Sequence, residues 1–545
     1  MTKGNIRLLI TLFVILAALA VGWIAGRSLF VTVLHSKVEE QLYALRDEGY
    51  IVEYDSIRVD WDENVIEVFK LSVKRDIDTA LCASGQFLSA HYIRAEGFDV
   101  PNLLFRRILQ FSLLRLDSPK LSIYDNFFLK DTVARERSTF AINIEQLSLP
   151  DLVIERASIE NCSYIARYNA NISMSEFALA FSDAEPTVFR FKEMQSDSIR
   201  IVRPDDFYTF KIQRIYAHRD SNIFRLDTLT IHPHFGKIEF GRKVGFQTDR
   251  FEGMIPYVNM YGLRINTGDT TFLIARKITT QLFLKAFRDK RIPMKDVYKP
   301  LPIEQLNSLF FGLKVDSIVL NKSLVVYEEF AEDADSSGHV KFDNLFALIR
   351  NVDNTNGKKG QTYLSAESTF MGQGNVQLHA TFPHDPRVKH KATGKITNID
   401  LSTLNKMLEP VAGVRVEHGH LNKLTFAFSA SNEHAGGEIE LFYDNLKLIT
   451  FKDKDDGKKG NHNEKRKDGF KTFIVNTFIV KKDMDHKTPK EKRRGTIGND
   501  RVLEKYIFNY WWKSVASGLK SAYNVDKLED SKLLDALKGN DEGSD

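Results

Sequence analysis

The chain has 545 residues, 43% of them hydrophobic and 27% charged, with a formal net charge of +4 at pH 7 and two cysteines. That apolar content excludes wholesale disorder. The basic residues are interleaved with acids and not gathered along one segment, which gives no electrostatic footprint for a nucleic-acid partner.

Residues 8–26 form an uncharged apolar run, framed by Lys3 and Arg7 before it and Arg27 after it. At roughly 1.5 Å of rise per residue, a helix of this length just crosses a hydrocarbon core about 30 Å thick. Leu8, Phe13, Leu16 and Trp23 are the expected anchor residues, with Trp23 near the exit as an interfacial aromatic. The rival reading is a cleaved secretory signal, whose apolar core usually spans about 7 to 15 residues. Here the small-x-small sites fall inside the apolar stretch. Positive charge before the run predicts a cytoplasmic N-terminus and an exported body, although Arg27 and Lys37 weaken the bias.

Residues 38–46 place Val38, Leu42 and Leu45 at helical spacing among charged neighbours, which predicts a short amphipathic helix leaving the membrane. From there the period changes to two. Ile57, Val59 and Trp61 alternate with Arg58, Asp60 and Asp62, and the same phrase returns in Leu121-x-Ile123, Ile142-x-Ile144, Phe177-x-Leu179-x-Phe181, Leu229-x-Ile231, Val376-x-Leu378-x-Ala380-x-Phe382, Leu424-x-Phe426-x-Phe428 and Ile439-x-Leu441-x-Tyr443. Turn-rich stretches such as Asp117-Ser118-Pro119 separate them. Helical interruptions are expected only at residues 100–109, 301–309 and 401–408, which excludes βαβ winding and leaves antiparallel all-β architectures. Sandwiches come as units of about 100 residues, and no boundary divides this chain. A sheet that adds strand after strand, with one apolar face throughout, is the expectation. So large an apolar face has to be covered, by a second sheet or by a ligand. Lipid acyl chains fit beside a bilayer, because each CH₂ moved into water costs about 0.8 kcal/mol.

Phe98-Asp-Val-Pro-Asn-Leu-Leu104 leading into Leu113-Leu-Arg-Leu-Asp-Ser-Pro-Lys-Leu-Ser-Ile-Tyr124, the phrase Val315-Asp316-Ser317-Ile318-Val319-Leu320, and the closing Phe508-Asn-Tyr-Trp-Trp-Lys-Ser514 with Gly518 accompany the single anchor. Together these resemble the AsmA family of inner-membrane-anchored envelope proteins, in its Bacteroidetes form, related to TamB and to bridge-like lipid transfer proteins. The resemblance implies an all-β dominated fold, an elongated, twisted antiparallel β-groove open along one side, with an N-terminal transmembrane helix and a few short helices. It implies a periplasmic body that holds or conveys phospholipid between inner and outer membranes, with the inner membrane and an outer-membrane or envelope protein as partners. It brings no catalytic residues, cofactor or metal. The competing reading is an assembly factor that pairs its strands with outer-membrane protein clients by β-augmentation.

The expected organisation is a cytoplasmic stub and anchor over 1–36, an exit helix over 37–50, the β-groove body over 51–500, a helical cap over 501–538 and an acidic tail over 539–545. Groove positions chosen by alternation are Ile57, Val59, Trp61, Leu121, Ile123, Phe177, Leu179, Phe181, Val376, Leu378, Phe382, Leu424, Phe426, Phe428, Ile439 and Leu441. Each is equally readable as an ordinary core residue. Two charged stretches, 452–468 and 481–494, read as solvated loops or as grips for anionic headgroups. Ile507, Tyr510, Trp511, Val515 and Leu519 fall at helical spacing, predicting a helix that either caps the last strands or lies at a membrane interface with Trp511 and Trp512 at headgroup depth. Cys82 and Cys162 are either a disulfide or two small buried hydrophobes.

Catalytic signatures are absent: no P-loop, no G-x-S-x-G, no H-E-x-x-H, no C-x-x-C and no dinucleotide fingerprint occurs. The stretch from Asp333 opens like a calcium loop but carries Asn344 where the bidentate Glu belongs. His232-Pro233-His234 lacks an evident third ligand. No enzyme activity is expected.

Overall fold

Asp60 closes the first hairpin. Its Oδ1 accepts the backbone N–H groups of Asp62 at 3.0 Å and Glu63 at 3.1 Å, and Asn64 completes the turn in a left-handed conformation at φ 56°. Short Asx side chains that bond their own backbone and tolerate this region explain why the chain reverses here. The flanking strands, Ser56–Asp60 and Val65–Asp76, pair antiparallel with Ile57 opposite Val68.

The computed structural model describes residues 50–60, 62–76, 84–99, 102, 108–124, 139–157, 164–182, 188–203, 205–267, 271–309, 311–332, 334–453, 473–479 and 493–522. The expected anchor with Leu8, Phe13, Leu16 and Trp23, the exit helix, Trp61, both cysteines, nearly all of both charged stretches and the acidic tail lie outside these residues. So do most of residues 100–109, and the side chains of Ile123 and Phe181.

The chain divides into two compact units, residues 1–234 with 255–274, and residues 235–254 with 275–545. Strands dominate both. In the first unit, Val65–Asp76 pairs antiparallel with Ser84–Glu96, and Thr139–Ala157, Tyr164–Ser182, Glu193–Val202, Tyr208–His218 and Ile223–Pro233 follow as an antiparallel series. Its core gathers Ile66, Val68, Leu71, Val73, Ala95, Phe98, Leu109, Phe111, Ile144 and Leu147. In the second unit an antiparallel meander runs from Gly312–Phe330 through Gly338–Asp353, Gln361–Phe370, Gly374–Pro383, His390–Asp400 and Val414–Ala430 to His434–Asp453. That last strand pairs along one half with Phe473–Ile479 and along the other with Arg493–Asp500.

The pairing is not wholly antiparallel, which corrects the expectation from sequence. Ile108–Asp117 and Lys120–Tyr124 both run parallel to Thr139–Ala157, and Phe283–Asp289 runs parallel to Gly312–Phe330. A parallel neighbour requires a crossover of a dozen or more residues. In the second unit, residues 290–311 supply it and carry the helix Pro302–Asn307. Pro302 opens this helix, and the Glu304 carboxylate accepts the Leu301 N–H at 2.6 Å. The 3₁₀ turn Leu401–Leu404 and helix Asn405–Ala412 also stand where the sequence predicts them. Helix Lys237–Val244 was not foreseen.

The helix Ile507–Ala522 closes the second unit. Tyr510 and Val515 enter a core with Phe382, Leu424, Phe428, Ile439, Leu441, Tyr443 and Ile497. Backbone approach is unusually close: a Cβ on Gly495 would meet Gly518 O, and one on Gly518 would lie 2.7 Å from Ile439. Ser517 and Ser521, one turn apart, accept the backbone N–H groups of Gly498 at 3.2 Å and Thr496 at 3.0 Å. These donors lie on the strand Arg493–Asp500, so the helix satisfies part of a strand edge that would otherwise offer itself to another chain.

Candidate functional site

The apolar face of the first unit depends on a backbone device that alternation alone does not reveal. Ile66, Val68, Leu71 and Val73 share one core, yet strict alternation would put Ile66 and Val68 on the face opposite Leu71 and Val73. Lys70 stands between the pairs with φ 52°. A left-handed residue inside a strand resets the alternation, so both pairs turn inward. The same reset occurs at Glu176, φ 46°, and Met174 and Phe177 both pack on that core.

Ser198 at φ 55° and Thr228 at φ 47° repeat it further along. Met194 and Ser196 before the reset, and Ile199 and Ile201 after it, become one face, while adjacent Asp197 and Ser198 are both exposed. Cross-strand register then builds rows of neighbours. Leu147, Met174, Met194, Ala217 and Phe224 lie side by side across five strands, as do Leu149, Ile172, Ser196, Ile215 and Leu226. Ile199, Ile212 and Leu229 form a third row, and Ile201, Phe210 and Ile231 a fourth. Directly opposed residues in an antiparallel pair share a face.

The first two rows begin at the core of the first unit, through Leu147, Leu149 and Met174, and run out beyond it. Burial changes along the way. Among the described apolar residues between 164 and 232, only Ala166 and Ala217 are buried, whereas the others stay partly or wholly open to solvent. In the second unit, strands of the same character bury Val414, Val416, Leu421, Leu424, Phe428, Ile439, Leu441 and Tyr443. Both regions are rich in apolar residues; a helix covers the second, and no helix among the described residues covers the first. The second row carries a polar group where it is still covered: the Ser196 hydroxyl is buried and has no hydrogen-bond partner among the described residues. The opposite surface is polar, with Arg225 on Asp227 at 2.6 Å and Lys192 on Glu176 at 2.7 Å.

The positions chosen from sequence divide between these settings. Ile57, Val59, Leu121 and Phe177 pack partly buried on the first core, and Leu179 is half-buried nearby. Val376 and Leu378 are half-buried in the second unit. Phe382, Leu424, Phe428, Ile439 and Leu441 lie buried in the second core, with Phe426 packed against it, so protein already covers them. Trp511 faces inward as well, with its ring 5.9 Å from Phe382 and its Nε1–H donated to His390 Nε2 at 3.0 Å; Trp512 is 57% exposed. Met194, Ile199, Ile201, Phe210, Ile212, Ile215 and Leu226 were not chosen from sequence. Their signal was the pair of short phrases Ile199-x-Ile201 and Phe210-x-Ile212, cut too short by the resets to register as long alternating strands.

His234 is engaged locally, its Nε2 2.6 Å from Thr209 Oγ1 and its Nδ1 2.9 Å from Asp206, and its ring stands 6.5 Å from that of His232. Ser337 donates its hydroxyl to Glu328 at 2.6 Å. Among the described residues no group of three His, Cys, Asp or Glu is placed to hold a metal ion, and no helix is long and apolar enough to cross a membrane. Compared with known proteins, the chain matches no family model and no curated protein.

Proposed function

We propose that this chain is a membrane-anchored, AsmA-like envelope protein that binds lipid acyl chains on the open apolar face of its first unit, for phospholipid transport or homeostasis. The sheet is read as an open groove whose ligand takes the place of a second layer. One observation carries this reading: the rows through Ile199, Ile212 and Leu229 and through Ile201, Phe210 and Ile231 align apolar side chains that stay only half-buried. Each methylene of an acyl chain laid on such a surface gains up to about 0.8 kcal/mol on leaving water. A hydrocarbon chain needs only contact and exclusion of water, so the face can hold or pass lipid without covalent chemistry. On the same face the rows through Leu147 and Met174 and through Leu149 and Ile172 reach the first core, which extends the apolar surface offered to a chain.

The test is native mass spectrometry of the full-length chain, purified in mild detergent without delipidation. Stoichiometric phospholipid is expected, and Ile212→Glu with Leu229→Glu should abolish it while the far-ultraviolet circular dichroism stays that of the parent. A lipid-free parent that also fails to take up labelled phospholipid would overturn the reading, as would a double variant that loads normally.

A further inference from the structure

Phe508 is 78% exposed and Trp512 57% exposed, on a helix whose other face is packed into the core of the second unit. Four residues apart, they stand next to each other on the outer surface of that helix. Leu503, 40% exposed, precedes them and is held by the Lys299 N–H, which donates to its carbonyl at 2.8 Å. Val388, 53% exposed, lines a small pocket with Phe382 and His390, the two rings beside Trp511. Bulky apolar side chains thus stay in water around a helix that already has a full core contact, so packing within the unit does not account for them.

The charge nearby has one sign in excess. Arg501 and Lys505 are buried, whereas Lys513 and Lys520 are half-exposed on the helix, and the loop beside Val388 adds exposed Arg387, Lys389 and Lys391 against Asp385. Protein–protein interfaces are depleted in lysine. Helices that lie at a bilayer surface combine Trp and Phe at the headgroup boundary with lysines whose amines reach the lipid phosphates. We propose that the outer face of Ile507–Ala522, through Phe508 and Trp512, docks on an anionic bilayer surface and gives the chain a membrane contact separate from its N-terminal run. This contact does not depend on the open face of the first unit. Trp511, turned inward onto His390, lies on the core side of the helix and is not part of the contact.

Full-length chain in phosphatidylcholine nanodiscs, immobilised by a tag, is offered fluorescent vesicles of phosphatidylglycerol with phosphatidylcholine, or of phosphatidylcholine alone. Anionic vesicles should be captured, neutral ones much less, and added salt should weaken capture. Phe508→Ser with Trp512→Ser should lower capture by about fivefold or more, since the apolar anchors are removed while the lysines remain. The melting temperature should not move, because both side chains are exposed. Equal capture by parent and variant would overturn the proposal, as would no capture of anionic vesicles. A concentration-dependent dimer lost in the variant, without vesicle capture, would instead assign the face to a second copy of the chain and overturn it too.

Discussion

The indole N–H of Trp511 is donated to His390 Nε2 at 3.0 Å, and this bond ties the closing helix to the strand His390–Asp400. His390 is 5% exposed, stacked on Phe382 at 5.5 Å and edge-on to Tyr510 at 6.3 Å. An acceptor nitrogen in this position has to stay unprotonated. Burial, with the Arg501 charge adding to it, holds the His390 pKa down at about 4.

Acid should therefore loosen the second unit. Unfolded His390 takes its proton near its ordinary value of 6.5, and folded His390 only near 4. Between these values the unfolded chain binds the extra proton, so stability is full above about pH 6.5, falls as the pH drops through the window, and levels below it. The loss amounts to about 3 kcal/mol at most. Urea midpoints read by tryptophan fluorescence should follow this curve, and His390→Gln, which keeps an acceptor but does not titrate, should flatten it. An unchanged slope in the variant would assign the acid sensitivity elsewhere.

The contact between Gly495 and Gly518 should tolerate no side chain. Gly495→Ala would drive a methyl into the Gly518 carbonyl, with the Ala522 backbone N 2.7 Å away. Overpacking of this kind costs about 1–3 kcal/mol. Ser517→Ala with Ser521→Ala removes the acceptors for Gly498 and Thr496 and should cost about 1 kcal/mol for each hydrogen bond. Thermal unfolding measures both, and the serine pair should also raise aggregation, since it bares a strand edge.

Asp249 and Arg288 form a bidentate pair at 2.7 and 2.8 Å, with both side chains nearly buried. Burial opposes the Arg288 charge, and the hydrogen bonds to Asp249 outweigh it, so the guanidinium pKa stays above its ordinary value. Asp249→Ala leaves that charge without its partner and should cost about 3–5 kcal/mol. Replacing both residues by apolar ones of similar size should cost far less. A double replacement as damaging as the single one would contradict this account of the pair.

Thr228 holds φ 47° inside a strand, an expensive conformation for a β-branched residue. Thr228→Asn should stabilise the first unit by about 1 kcal/mol, because Asn adopts the left-handed region more readily. Lipid loading should not change, since the reset that puts Leu226 and Leu229 on one face is kept. A lower melting temperature would show that the threonine side chain contributes more than its backbone costs.

Local sequence carried the strand content, the turn at Ser118 and, among the described residues, the helices near 302, 405 and 507, because alternation, turn residues and helical spacing act between near neighbours; the turn at Asp60 reads as strand, since the alternation runs on through Asp62. The facing of those strands was not legible. Lys70, Glu176, Ser198 and Thr228 have no composition that marks a left-handed residue, so a reset costing one residue left no trace in the pattern. Nor did alternation separate Leu424 and Phe428, sealed under a helix, from Ile212 and Leu229, which stay half-buried. Which strands run parallel, which edge Ser517 and Ser521 cover and which apolar face stays half-buried follow from contacts between residues far apart in the chain. The periodicity of a single strand records that a face is apolar; only the packing of distant segments decides what lies against it.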